Sequence, residues 1–105
     1  MEWLYLLVAT IFEIGWPYSM KMASLGSMKV MWIILAAVAM ALSGIFLYFA
    51  QKHIPVGTAY AIWTGLGAAC TFLIGVTVFH DAINPLRFLG VLLIIIGVAL
   101  LKLGN

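Results

Sequence analysis

The chain has 105 residues, of which 67% are hydrophobic and only 8% charged. A soluble domain this small exposes much of its area and carries about 25% charged residues, so an ordinary soluble fold is excluded. Mean hydropathy of +1.24 points to membrane-spanning helices, and a net charge of +2 from five scattered basic residues offers no basic stripe for nucleic acid.

A helix crosses roughly 30 Å of hydrocarbon with about 20 apolar residues, so four crossings use about 80 residues and leave about 25 for loops and tails. The expected fold is therefore an all-α integral membrane protein, a single four-helix transmembrane domain over residues 1–105 with no room for a soluble head. Clusters of Gly, Pro and charge mark the breaks. Helix 1 is expected at about 3–22, ended by Ser24-Leu25-Gly26-Ser27 and Lys29. No Lys or Arg precedes it, the wrong start for a cleaved signal peptide, so it is expected to stay in the mature protein. Helix 2 is expected at about 30–50, stopping at Gln51-Lys52-His53-Ile54-Pro55. Helix 3 follows at about 56–79, closed by His80-Asp81 and Asn84-Pro85, and helix 4 at about 86–101. Trp3, Tyr5, Trp32 and Tyr48 fall near helix ends, where aromatic rings favour the headgroup level.

Glu13 lies mid-way along helix 1, close to the expected bilayer midplane. A charged side chain there costs about 2.5–3.5 kcal/mol on insertion scales, so such residues face a bundle interior and carry function. Desolvation at that depth favours the neutral form of a carboxyl, leaving a group able to hold a proton or a cation in competition. The plainer alternative is a protonated Glu acting as a hydrogen bond between helices. Thr10 and Trp16 flank Glu13 at i−3 and i+3, so one face presents hydroxyl, carboxyl and indole together. Trp16 offers a cation–π face and an N–H, or else simple bulk. Pro17 withdraws the backbone donor owed to the Glu13 carbonyl and is expected to free an acceptor there.

In helix 2, Ser43 puts a hydroxyl near mid-membrane. By spacing alone it is expected to bond its own i−4 carbonyl rather than a carboxylate. In helix 3, Tyr60, Trp63 and Gly67 share a face, while Gly57, Ala61 and Gly65 form a small-residue edge that admits another helix. Gly65 and Gly67 weaken the helix by about 1 kcal/mol each relative to Ala, which suits a hinge, although packing alone also accounts for them. Gly90 and Gly97 lie seven apart on helix 4 and are expected to form a dimer contact with helix 4 of a second copy. Cys70 is alone, and His53 and His80 sit at helix ends. No metal site, cofactor or nucleophile–base pair is expected, and so no enzyme.

With four spans, Lys52 and Lys102 share one side of the membrane, and Lys21, Lys29 and Arg87 the other. Two against three is almost no bias, so the chain is expected to insert both ways round and to pair as two oppositely oriented copies.

These residues resemble the small multidrug resistance family of proton-coupled exporters over essentially the whole chain. The match rests on Glu13 in the middle of the first helix, Lys21 closing it, the run PVGTAYAIWTGLGA over 55–68, and Gly90 and Gly97. The resemblance implies an antiparallel homodimer in a bacterial inner membrane, exchanging two protons for a cation at paired Glu13 carboxylates, with membrane lipid and no nucleic acid around it. Trp16, Ser43 and Trp63-Thr64-Gly65 look like the guanidinium-exporter branch, in which Trp16, Ser43, Tyr60 and Trp63 surround and orient the glutamates. Thr10 stands where that branch usually has Gly, and Pro17 where it has an ordinary helix former. The implied cargo is a small organic cation such as guanidinium; the alternative is a hydrophobic quaternary ammonium compound. A channel or assembly partner in which Glu13 only joins helices is the reading from another class.

Overall fold

A computed structural model describes residues 1–26 and 28–104; Ser27, part of the expected first break, lies outside the described residues. Among these, four α-helices follow one another: α1 (Glu2–Leu25), α2 (Lys29–Ala50), α3 (Val56–Thr77) and α4 (Pro85–Leu103). By length and composition α2, α3 and α4 are each apolar enough to cross a membrane. α1 is the longest helix, but Glu13 and the Trp16-Pro17-Tyr18-Ser19 stretch make it less apolar, so the four segments are unequal in character.

The helix ends differ from expectation for local reasons. α1 continues three residues past the expected end, with the Ser24 hydroxyl donating to the Lys21 carbonyl at 2.7 Å, and stops at Gly26. α3 ends two residues early. His80 then takes a left-handed φ of 57°, a conformation in which His is enriched, and the Asp81 N–H returns to the Gly75 carbonyl at 2.9 Å. α4 begins at Pro85, where a missing N–H costs nothing, and the Asn84 side chain accepts from the Arg87 N–H at 2.8 Å.

α1 packs against both α2 and α3, and α4 packs on α3, so the helices lie side by side in the order α2, α1, α3, α4. The result is a slab of 44 × 35 × 16 Å, little thicker than the 10–12 Å of one helix with its side chains. Among the described residues, six of the nine buried apolar side chains are alanines: Ala9, Ala23, Ala36, Ala50, Ala59 and Ala69. Lipid tails compete with large apolar side chains for contact, so membrane helices gain by bringing backbones close through small residues. The α1/α2 seam shows it: a Cβ on Gly15 would rest in ordinary contact, 3.6 Å from the Ala39 Cβ. A tighter apolar cluster of Leu6, Ala50, Ile54, Ala59 and Ile62 closes the end where α1 starts, α2 ends and α3 starts.

The basic residues sort by end. Lys102 Nζ sits 5.2 Å from the Trp3 ring centroid and Lys52 Nζ 5.0 Å from that of Tyr48, while Lys21 lies over Phe79 at the opposite end. α4 has no buried residue, and a Cβ on Gly90 or Gly97 would meet nothing within 4 Å. Its outer face is unpartnered within the chain.

Candidate functional site

Glu13 is half-buried where α1 crosses α3. The approach is close because α3 carries a glycine there: a Cβ on Gly67 would fall 2.8 Å from the Glu13 Cγ. One turn along α1, the Trp16 Nε1–H donates to Glu13 Oε1 at 2.8 Å. That is the one side-chain hydrogen bond Glu13 makes among the described residues. The carboxyl is thus held at one oxygen, and it lines an open cleft of about 430 Å³ together with Pro17, Thr64, Gly67, Ala68, Thr71, Phe72, Asp81 and Arg87.

A second polar chain joins three helices beside this group. The Ser43 hydroxyl, fully buried, donates to the Ala9 carbonyl of α1 at 2.7 Å, and the Trp63 Nε1–H of α3 donates to the Ser43 oxygen at 2.8 Å. This corrects the expectation that Ser43 bonds its own i−4 carbonyl: Ala9 has no exposed surface and no bulk, so the α1 backbone comes within reach of α2. A hydroxyl both donating and accepting here leaves no buried polar atom unpaired.

Tyr60 is exposed, and its ring lies 5.6 Å from that of Trp63 in a tilted pair. Thr10 is buried and donates to the Leu6 carbonyl at 2.9 Å. It lines a separate apolar cleft of about 460 Å³ with Trp3, Leu6, Ile62, Leu66 and Val98. Hydrogen bonds therefore join Glu13 to Trp16, and Ser43 to Trp63, but do not join the two pairs or bring Thr10 to the carboxyl. Pro17 lies within an uninterrupted α1 and lines the Glu13 cleft. Of the two candidate hinge glycines, Gly67 meets Glu13, and Gly65 faces α4, its Cβ position 3.1 Å from Val98 Cγ2.

Thr71, Phe72, Asp81 and Arg87 line the Glu13 cleft without having been singled out from sequence. Thr64, Gly67 and Thr71 share a helical stripe, which is a signal the sequence does contain. Asp81 arrives from the α3–α4 connection, where sequence shows only a turn, and Arg87 from the first turn of α4.

A thin slab of apolar helices around one carboxyl held by an indole N–H defines a helical membrane protein with a mid-helix ionisable site. The sequence matches the family described as Small Multidrug Resistance protein over residues 1–94. It is 35% identical to a protein of Escherichia coli (strain K12) named guanidinium exporter, over all of this chain and 99% of that protein. Proteins of the same name from Proteus vulgaris and from Salmonella typhimurium are 39% and 38% identical, covering 100% and 99% of this chain and 100% and 98% of their own length. The chain belongs to the small multidrug resistance family.

Proposed function

We propose that the protein is a proton-coupled antiporter that exports guanidinium or small guanidinyl compounds, carrying them unchanged and so acting as no enzyme. The observation that carries this reading is the Glu13 carboxyl, held at one oxygen by Trp16 and open at a cleft. A planar guanidinium offers N–H donors in the geometry that carboxylate oxygens accept. The full-length relatives named guanidinium exporter support the choice of cargo.

In this reading two copies pair in opposite orientations in a bacterial inner membrane, and their Glu13 carboxyls form one site. The pair takes either two protons or one cation, because the same oxygens serve both. Trp16 fixes the rotamer of Glu13, the Ser43–Trp63 chain fixes the wall of the site, and Tyr60 extends that wall. Helix 3 bends differently at Gly65 and Gly67 in the two copies, and Gly90 and Gly97 form the contact between them.

Glu13→Gln keeps an acceptor oxygen for Trp16, so the fold is retained, but the amide cannot take up and release a proton. In liposomes with an imposed proton gradient, the wild type should move guanidinium and Glu13→Gln should not; gradient-driven guanidinium movement by Glu13→Gln overturns the mechanism. Coupled movement of tetraphenylphosphonium but not guanidinium reverses the choice of cargo.

A further inference from the structure

The cleft that holds Glu13 also holds a guanidinium belonging to the chain. Arg87 Cζ lies 5.1 Å from the centroid of the Phe72 ring, and its Nη1 donates to the Ala82 carbonyl. Both Arg87 and Phe72 line the same cleft as Glu13, and so does Asp81. The Asp81 backbone is tied back to Gly75, and its carboxylate lies so close over Gly75 that no larger residue fits there without displacing it. Among the described residues Asp81 makes no ion pair within 4.0 Å. An aromatic face, a carbonyl acceptor and an uncommitted carboxylate are what a planar cation with N–H donors requires.

We infer that Phe72, the Ala82 carbonyl and Asp81 form an outer guanidinium subsite, which Arg87 occupies as a tethered competitor of the incoming substrate. This rests on the reading of the protein as a guanidinium exporter. A substrate entering the cleft displaces Arg87 from the ring and carbonyl, and then lies in the same cavity as Glu13. Arg87 is itself exposed, so it swings to solvent without leaving a buried charge unpaired. Lys21 lies over Phe79 and lines the adjoining cleft that Asp81 shares. Its ammonium has no planar fork to substitute for that of Arg87.

A ligand that binds only the vacated fraction of a site has its apparent affinity reduced by that fraction. If Arg87 fills the subsite most of the time, removing its guanidinium should tighten guanidinium binding on the order of three- to tenfold. Arg87→Lys separates occupancy from charge, because it keeps the positive charge and loses the planar group. Both Arg87→Lys and Arg87→Gln keep the start of α4, where the Asn84 cap uses only the Arg87 backbone N–H. Guanidinium chloride should be titrated into full-length wild type, Arg87→Lys and Arg87→Gln in the same lipid nanodiscs, at fixed pH and ionic strength.

The expected result is tighter binding in both variants, with the gain in Arg87→Lys lost again when Asp81→Asn is added. A gain in Arg87→Gln alone, or no gain in either, overturns the inference as a charge effect or as no effect. Wild type that binds and exports guanidinium while Arg87→Lys binds it equally overturns the subsite and leaves the transport reading intact. Tighter binding in Arg87→Lys with no coupled export by the wild type does the reverse. No binding by any of the three overturns both.

Discussion

Gly67→Ala separates two accounts of the same residue, a hinge in α3 and a close packing site for Glu13. The added methyl would lie 2.8 Å from Glu13 Cγ, where ordinary contact begins at 3.4 Å, so the Glu13 side chain must retreat by about 0.6 Å. The Trp16–Glu13 hydrogen bond is 2.8 Å long, and N–H···O bonds fade beyond about 3.2 Å, which leaves about 0.4 Å of slack. A retreat directed away from Trp16 exceeds the slack, so the bond then breaks or Trp16 moves with it. Stability alone does not decide between the accounts: Gly to Ala in a helix gains about 1 kcal/mol, and overpacking against the Glu13 methylenes costs about 1–3 kcal/mol, so the two largely offset. The Trp16 indole N–H resonance can decide, because it reports the bond directly. Gly65→Ala is the control, since it changes helix propensity equally but meets Val98 and Ile94 of α4. Packing predicts that Gly67→Ala alone shifts the Trp16 resonance and lowers guanidinium export on the order of tenfold, as expected when a reacting group is misplaced by a fraction of an ångström. A wild-type Trp16 resonance with wild-type export in Gly67→Ala would falsify the close contact, and equal loss of export in both variants would favour the hinge.

Three further expectations follow from the same geometry. Ser43→Ala leaves the Trp63 indole N–H without its acceptor, at a cost of about 1–2 kcal/mol; reversible unfolding in mixed micelles measures it, and a change under about 0.3 kcal/mol contradicts the buried three-helix chain. Guanidinium binding should weaken as pH falls, because protons and cation compete for the same carboxyls, and titration at several pH values showing constant affinity removes the competition. Tags at the C-terminus should label from both faces of the membrane, and two added lysines in the α2–α3 connection should drive one orientation; single-sided labelling of the unmodified chain counts against oppositely oriented copies.

Four helices are legible in this sequence because composition leaves no soluble alternative and because Gly, Pro and charge punctuate the apolar runs. Glu13 is legible as an isolated charge where hydrocarbon excludes charge. The partner of Ser43 is not legible: an i−4 carbonyl is present in any helix, whereas the Ala9 carbonyl becomes available only because a small residue lets α1 and α2 touch. The two glycines of α3 show the same limit. Spacing places Gly65 and Gly67 near each other, but only the order of helices across the slab assigns one to α4 and the other to Glu13. Asp81 and Arg87 lie 68 and 74 positions beyond Glu13. Their arrival in its cleft depends on the left-handed turn at His80 and the Asn84 cap, neither of which local periodicity encodes.

The slab also bears on why a second, inverted copy suits this chain. At 16 Å it has no second layer to cover Glu13, which lines an open cleft. A carboxylate left against lipid tails carries an insertion cost of about 2.5–3.5 kcal/mol with only the Trp16 N–H to offset it, whereas the facing copy of the proposed pair would enclose the cleft and supply a second acceptor. An inverted copy maps each depth in the membrane onto its mirror depth, so two carboxyls meet only if each lies at the centre. Glu13 stands eleven residues from the start of α1 and twelve from its end. Displacement by one turn, about 5.4 Å along the axis, would separate an inverted pair by about 11 Å, too far for one small cation to bridge both. In the proposed inverted pair the two features are coupled requirements: near-equal basic charge at the two ends would let both orientations insert, and the central position of Glu13 would bring their carboxyls to a common depth.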